Sequence, residues 1–128
     1  MNALTEAIKL AFAHPEEQSK VNKVYLEFIK ANFIVPIEKE SAPEEPIVLY
    51  YQENGYTFMP VFTESHWLDQ WAQPIAAEIN ILRLSGVDLL KGVGDEITVC
   101  LDIGSPHYKE FNGSEIARMR SMILKIFK

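Results

Sequence analysis

The chain has 128 residues, a formal net charge of −6, 48% hydrophobic residues and 23% charged residues. That balance fits one ordinary globular domain, able to bury roughly two-thirds of its unfolded surface, and argues against a nucleic-acid binder, whose surface would be basic. No apolar run approaches the roughly 20 residues that span a bilayer, the first residues lack the basic-then-apolar layout of a signal peptide, and the single cysteine, Cys100, excludes an internal disulfide framework and suits a reducing cytoplasm.

Leu4, Ala7, Ile8, Ala11 and Phe12 repeat at helical spacing behind Asn2, a good cap. His14-Pro15 closes that helix, because the residue before a proline avoids the α region. Pro15 is expected in the first turn of a second helix, with Glu16 and Glu17 near its positive end. Val21, Val24, Tyr25, Phe28 and Ile29 form its apolar stripe, and Asn32 stops it. Residues 1–19 read as a helical extension within one domain spanning 1–128.

The period then shortens. Phe33 to Ile37 reads as a strand, at an edge or an end because Pro36 has no N–H. Glu38 to Pro46 is an exposed loop, and Ile47 to Tyr51 a second strand. Asn54-Gly55 marks a hairpin, since both residues tolerate positive φ, and Tyr56 to Phe62 returns. Thr63 is expected to cap a helix carrying Trp67, Leu68 and Trp71, with Glu64 in its first turn, and Pro74 ends it. Glu78 to Leu84 and Glu96 to Leu101 are further strands, separated by a short helix over Gly86 to Leu90. Asn112 to Glu115 fits a capping box opening a last helix to about Phe127, with Ile116, Met119, Ile123, Ile126 and Phe127 facing inward. Hairpin and helical connections together imply an α+β fold: a single domain with a mixed five-stranded sheet packed with helices.

Charge is segregated along this order. Residues 1–37 are neutral, residues 38–102 carry −9 and residues 103–128 carry +3. Such a division suits solubility and a basic last helix turn. It also offers an acidic face to a basic protein partner.

Residues able to do chemistry are sparse. Cys100 sits within a strand, where a free thiol is expected to be buried, with no His, Lys or helix start placed to activate it. His14, His66 and His107 lie far apart, none with a His or Cys at metal-ligand spacing, so no metal is expected. Asp102, Ser105 and His107 invite comparison with a catalytic triad. Triad members normally arrive from separate elements, the serine lacks a nucleophile elbow, and six consecutive positions are not expected to converge. The segment Asp102 to His107 therefore reads as a turn, with Gly104 and Pro106 shaping its backbone and a ligand or partner contact as its alternative use. Gly92-Val93-Gly94 precedes a strand and is no phosphate loop. Trp67 and Trp71 share one helix face and suit a core or an interface.

The order FIVPIE, YTFMPVFTESHWLDQW, LSGVDLL and ITVCLDIGSP resembles the N-terminal domain of the SseB-type (enhanced serine sensitivity) family over roughly residues 20 to 127. Pro60-Val61-Phe62-Thr63 and Trp71 match one signature, Gly86 to Leu90 a second and Leu101 to Ser105 a third. In the third, Asp102 stands where Asn is usual and Ile103 where Pro is usual. These motifs shape a fold and carry no catalysis, and the family name denotes a phenotype, not a reaction. Some relatives carry a second, C-terminal domain, for which this chain is too short.

Residues and resemblance together lead to a non-enzymatic interaction domain. It is expected to be cytoplasmic, with no catalytic residues, metal or cofactor, binding a protein partner or itself and neither nucleic acid nor membrane. The alternative is a small-ligand-binding or enzymatic domain with its pocket between Phe62-Thr63 and Asp102-His107. The expected binding residues are Phe62, Thr63, Trp67, Trp71, Asp102, Gly104, Ser105 and His107.

Overall fold

The computed structural model describes residues 2–42 and 44–126, with the side chain of Ile126 left out. Helix α1 (Ala3–Ala13) starts where its cap predicts: Asn2 Oδ1 accepts the Thr5 N–H at 2.9 Å. Helix α2 (Gln18–Lys30) begins later than expected. Residues 15 and 16 form a turn, and Glu17 takes the cap position without a side-chain cap bond. Asn32 does not end α2 but opens strand β1 (Asn32–Glu38).

Strands β2 (Tyr51–Glu53) and β3 (Tyr56–Val61) form the expected hairpin, with Asn54 and Gly55 at φ +51° and +83°. Helix α3 (Ser65–Ala72) follows, and Pro74 falls inside a short 3-10 helix, Gln73–Glu78, instead of simply stopping the chain. The remaining elements are β4 (Ile79–Ser85), α4 (Gly86–Gly92), β5 (Ile97–Leu101), β6 (Lys109–Phe111) and α5 (Gly113–Ile126). The box opening α5 is closed in both directions. Asn112 Oδ1 accepts from Glu115 N at 3.0 Å, and Glu115 Oε1 accepts from Asn112 N at 3.3 Å. Phe127 and Lys128 lie outside the described residues.

The fold is α+β, but the single five-stranded sheet is a correction. Among the described residues six strands form two ladders: β1–β4 antiparallel, and β2–β3–β5–β6 with β3 and β5 parallel. Sequence pattern missed β6 because three residues are too few to show a period. Residues 47–50 are not strand. They touch β1 through the single bridge Ile37–Val48. A second bridge, Ile34–Phe62, ties β1 to the end of β3. The two ladders are therefore stitched at two points instead of being continuous.

Alternation along β1 and β4 splits the apolar side chains between two clusters. Phe33, Val35, Leu82 and Leu84 face the main core with Phe28, Val61, Leu101, Phe111 and Met119. Ile34 and Ile79 face a smaller cluster with Phe62, Leu68 and Ala72, covered by α3. Each buried large side chain contributes about 1.5–3 kcal/mol. The apolar face of α1, Leu4, Ala7 and Ile8, is buried in the main core. At Gly86 the chain passes so close to the end of α2 that any Cβ would collide with the Phe28 carbonyl oxygen.

Candidate functional site

The parallel β3–β5 ladder ends by setting Val61 beside Leu101, and the next bond of the same kind, Asp102 N–H to the Val61 carbonyl, is 2.9 Å. Phe62-Thr63 and the turn after β5 are thus brought together by sheet registry. Asp102 then adopts φ +53° and Gly104 φ +91°. Asp tolerates the left-handed region better than most residues, and Gly has no Cβ to obstruct it. Two such residues within three positions reverse the chain tightly, and the Ser105 N–H closes the turn on the Asp102 carbonyl at 3.0 Å.

This curl overturns one sequence expectation. Asp102 and His107 do converge: His107 Nε2 lies 2.8 Å from Asp102 Oδ2. The same carboxylate accepts the Thr63 hydroxyl at 2.6 Å and, through Oδ1, the Thr63 N–H at 2.7 Å. Thr63 therefore does not cap α3. Glu64 holds that position without a side-chain bond, while Thr63 is spent on Asp102. Asp102 is fully buried and His107 only 3% exposed. A buried carboxylate is tolerated only where donors surround it, and three do so here.

Around this pair sit the other expected residues. Trp67 meets the His107 ring edge-on with centroids 5.9 Å apart, and Trp71 packs on Phe62 at 5.6 Å. Ser105 is buried on the turn, whereas Gly104 is its exposed tip. The structure thus gathers Phe62, Thr63, Trp67, Trp71, Asp102, Ser105 and His107 and leaves Gly104 outward. Ile103, not among the expected residues, joins the Phe62 cluster as a neighbour. Three buried polar atoms here have no hydrogen-bond partner among the described residues: Trp67 Nε1, Ser105 Oγ and His107 Nδ1. Thr63 also reaches two surface clefts, one of about 280 Å³ beside Glu27 and Lys30 and one of about 400 Å³ beside Arg83 and Ser85.

Elsewhere, Cys100 is buried, accepting a bond from the Tyr51 hydroxyl at 3.4 Å. Burial pushes its thiol up, against thiolate formation. His14, Glu16 and Glu17 place ligand atoms within 4.8 Å of one another at the turn between α1 and α2. All three are exposed, and His14 Nδ1 pairs with Glu17 at 3.1 Å. The spacing rule of His and Cys missed this group because two of its members are carboxylates.

A family model, SseB protein N-terminal domain, matches residues 4–118. The chain belongs to the SseB family. The match begins within α1 and ends within α5, so it takes in every β-strand of this SseB domain and the whole Asp102 turn. No curated protein and no solved structure matches the chain. Among the described residues no helix is long and apolar enough to cross a membrane.

Proposed function

We propose that this SseB domain is a cytoplasmic, non-enzymatic protein-interaction module. The observation that carries this reading is the use made of Asp102, Thr63 and His107. The groups suited to acid–base chemistry are buried and bonded to one another, holding the end of β5 to the entry of α3. The surface, in contrast, carries acidic and apolar groups together. Ile47, Tyr50 and Tyr56 are exposed large side chains within the stretch that also presents Glu38, Glu40, Glu44, Glu45 and Glu53. A basic partner with apolar anchors suits that surface, by charge steering and by aromatic contact.

The test is capture of partners from lysate at low salt, repeated at high salt, against a charge-matched control. A salt-sensitive partner that E44K/E45K and Tyr56→Ala both release is expected. No enrichment over the control sinks the reading. Nucleic acid is a poor fit: of the C-terminal bases, Arg120 is tied to the Leu90 and Val93 carbonyls and Asp95, and Arg118 to Asn22.

One observation favours a second reading, a small-ligand or enzymatic site between Phe62-Thr63 and Asp102-His107. The unpartnered Trp67 Nε1, Ser105 Oγ and His107 Nδ1 all lie there, and a polar ligand reaching them would gain what the protein leaves unmade. A thermal-shift screen over small polar metabolites tests it, since selective binding raises stability. Stabilisation lost in Ser105→Ala and His107→Phe supports the reading, and a flat screen ends it.

A further inference from the structure

Among the described residues three strand edges are free, and they differ. β2 and β6 are three residues long, and β6 carries Lys109 and Glu110. Short, charged edges resist pairing with other chains. β4 is seven residues long, unbroken in register, and contains neither proline nor lysine. Among the described residues no strand pairs with its outer side.

The backbone groups left free there can be named. Gly86 N–H bonds the Ala31 carbonyl at 2.8 Å, and Lys39 N–H bonds the Glu78 carbonyl at 3.1 Å. The even-numbered residues of β4 therefore turn their N–H and C=O toward β1. Consistently, the even-numbered residues of β1 bond away from β4, Ile34 to Phe62 at 2.7 Å and Glu38 to Ile47 at 2.8 Å. By alternation, Ile79, Ile81 and Arg83 aim their N–H and C=O outward. Their side chains share one face, where Ile81 is 44% exposed and a groove of about 450 Å³ runs past Leu68, Asp69, Ala72, Ile79 and Ile81.

We propose that β4 pairs antiparallel with β4 of a second copy about a two-fold axis at Ile81. In this register Ile81 lies opposite its own counterpart, and Ile79 opposite Arg83 of the second copy. The outward N–H and C=O groups of all three residues are then satisfied on both strands. The register is also electrostatically self-matching. Arg83 is the lone base between residues 66 and 90 of the sequence, a stretch that also holds Asp69, Glu78 and Asp88. Set opposite Ile79, it enters the rim of the groove that holds Asp69, and it never faces another Arg83. The two strands complete a four-stranded ladder, β1–β4–β4–β1, with Ile79 and Ile81 of both copies on one face. This surface adjoins the acidic stretch only where Glu38 pairs with Ile79. Glu44, Glu45 and Tyr56, whose substitution tests the first reading, lie outside β4, so the two readings fail separately.

Light scattering across a concentration series, with hydrogen exchange read residue by residue, tests the pairing. The wild-type chain is expected to dimerise, and the amides of Ile79, Ile81 and Arg83 to slow their exchange as concentration rises. Ile81→Lys sets like charges opposite each other and is expected to weaken association at least about tenfold, or about 1.4 kcal/mol, while the melting temperature read at concentrations where both chains are monomeric stays unchanged. Arg83→Glu weakens it as well, and adding Asp69→Arg restores it. A chain that stays monomeric up to about 1 mM, an Ile81→Lys dimer, or a dimer whose β4 amides exchange freely overturns the proposal. Binding of a foreign strand to β4 without self-pairing overturns it too.

Discussion

The Asp102–His107 turn and strand β4 border the same small cluster, the first through Ile103 and the second through Ile79, yet they use their polar groups in opposite ways. At the turn, the carboxylate is enclosed by Thr63 and His107 and fully buried. At β4, ordinary backbone groups stand open along seven residues that sequence chemistry would pass over. Asp102, which looks catalytic in the sequence, is bonded to His107 and to Thr63 and so joins the ends of β3 and β5. The residues with no special chemistry, Ile81 and Arg83, are the ones at liberty to meet another molecule. Reactive residue types are a guide to function only where the fold leaves them unengaged.

The largest test of this contrast is Asp102→Ala. It removes every bond at the carboxylate, leaves buried donors without acceptors and forces alanine into positive φ. A loss of about 3–5 kcal/mol in urea unfolding is expected, and a loss under 1 kcal/mol would mean that the turn is not what secures the strand ends. His107→Phe keeps a ring against Trp67 but deletes one bond, so about 1–3 kcal/mol is expected by the same measurement.

Alkaline pH probes the phenols, of which Tyr25 is buried in the main core away from both regions. Burial and Glu115 push Tyr25 up from 10.0 to about 12, and burial pushes Tyr51, Tyr108 and Cys100 up as well. The unfolded chain releases these protons first, so the stabilisation is complete below the ordinary values and is lost as pH rises past them. For Tyr25, thermal melts should show stability declining between pH 10 and 12. The smallest effect on stability is expected from Ile81→Lys, within about 0.5 kcal/mol for an exposed site. If that variant unfolds instead, the β4 edge is part of the fold's support and not a spare surface.

Much of this organisation is legible in the sequence. The Asn2 cap, the Asn54-Gly55 hairpin and the Asn112–Glu115 box are local devices, and all three act as expected. Errors came where a residue answered to a distant partner. Thr63 has the chemistry of a helix cap, but Asp102 competes for it across 39 positions and wins. The turn's convergence depends on positive φ at Asp102, which nothing in a run of residue types announces. β6 exists because β5 offers it an edge, through Val99–Phe111 and its neighbours. The free side of β4 was equally hidden, since a strand's outer edge is defined by who pairs with it.

The separation between Thr63 and Asp102 has a consequence for how the chain folds. β1 finds β4, and β3 finds β5, across comparable stretches of sequence. Closing such loops costs entropy before any contact repays it. Folding slower than that of helical bundles and faster than that of all-β chains is expected, as for other domains that mix local helices with non-local strand pairing. The β2–β3 hairpin and the helices can form locally, whereas the Thr63–Asp102 clasp can close only after β3 and β5 have come into register. It is a latch on the assembled sheet and not a seed for it.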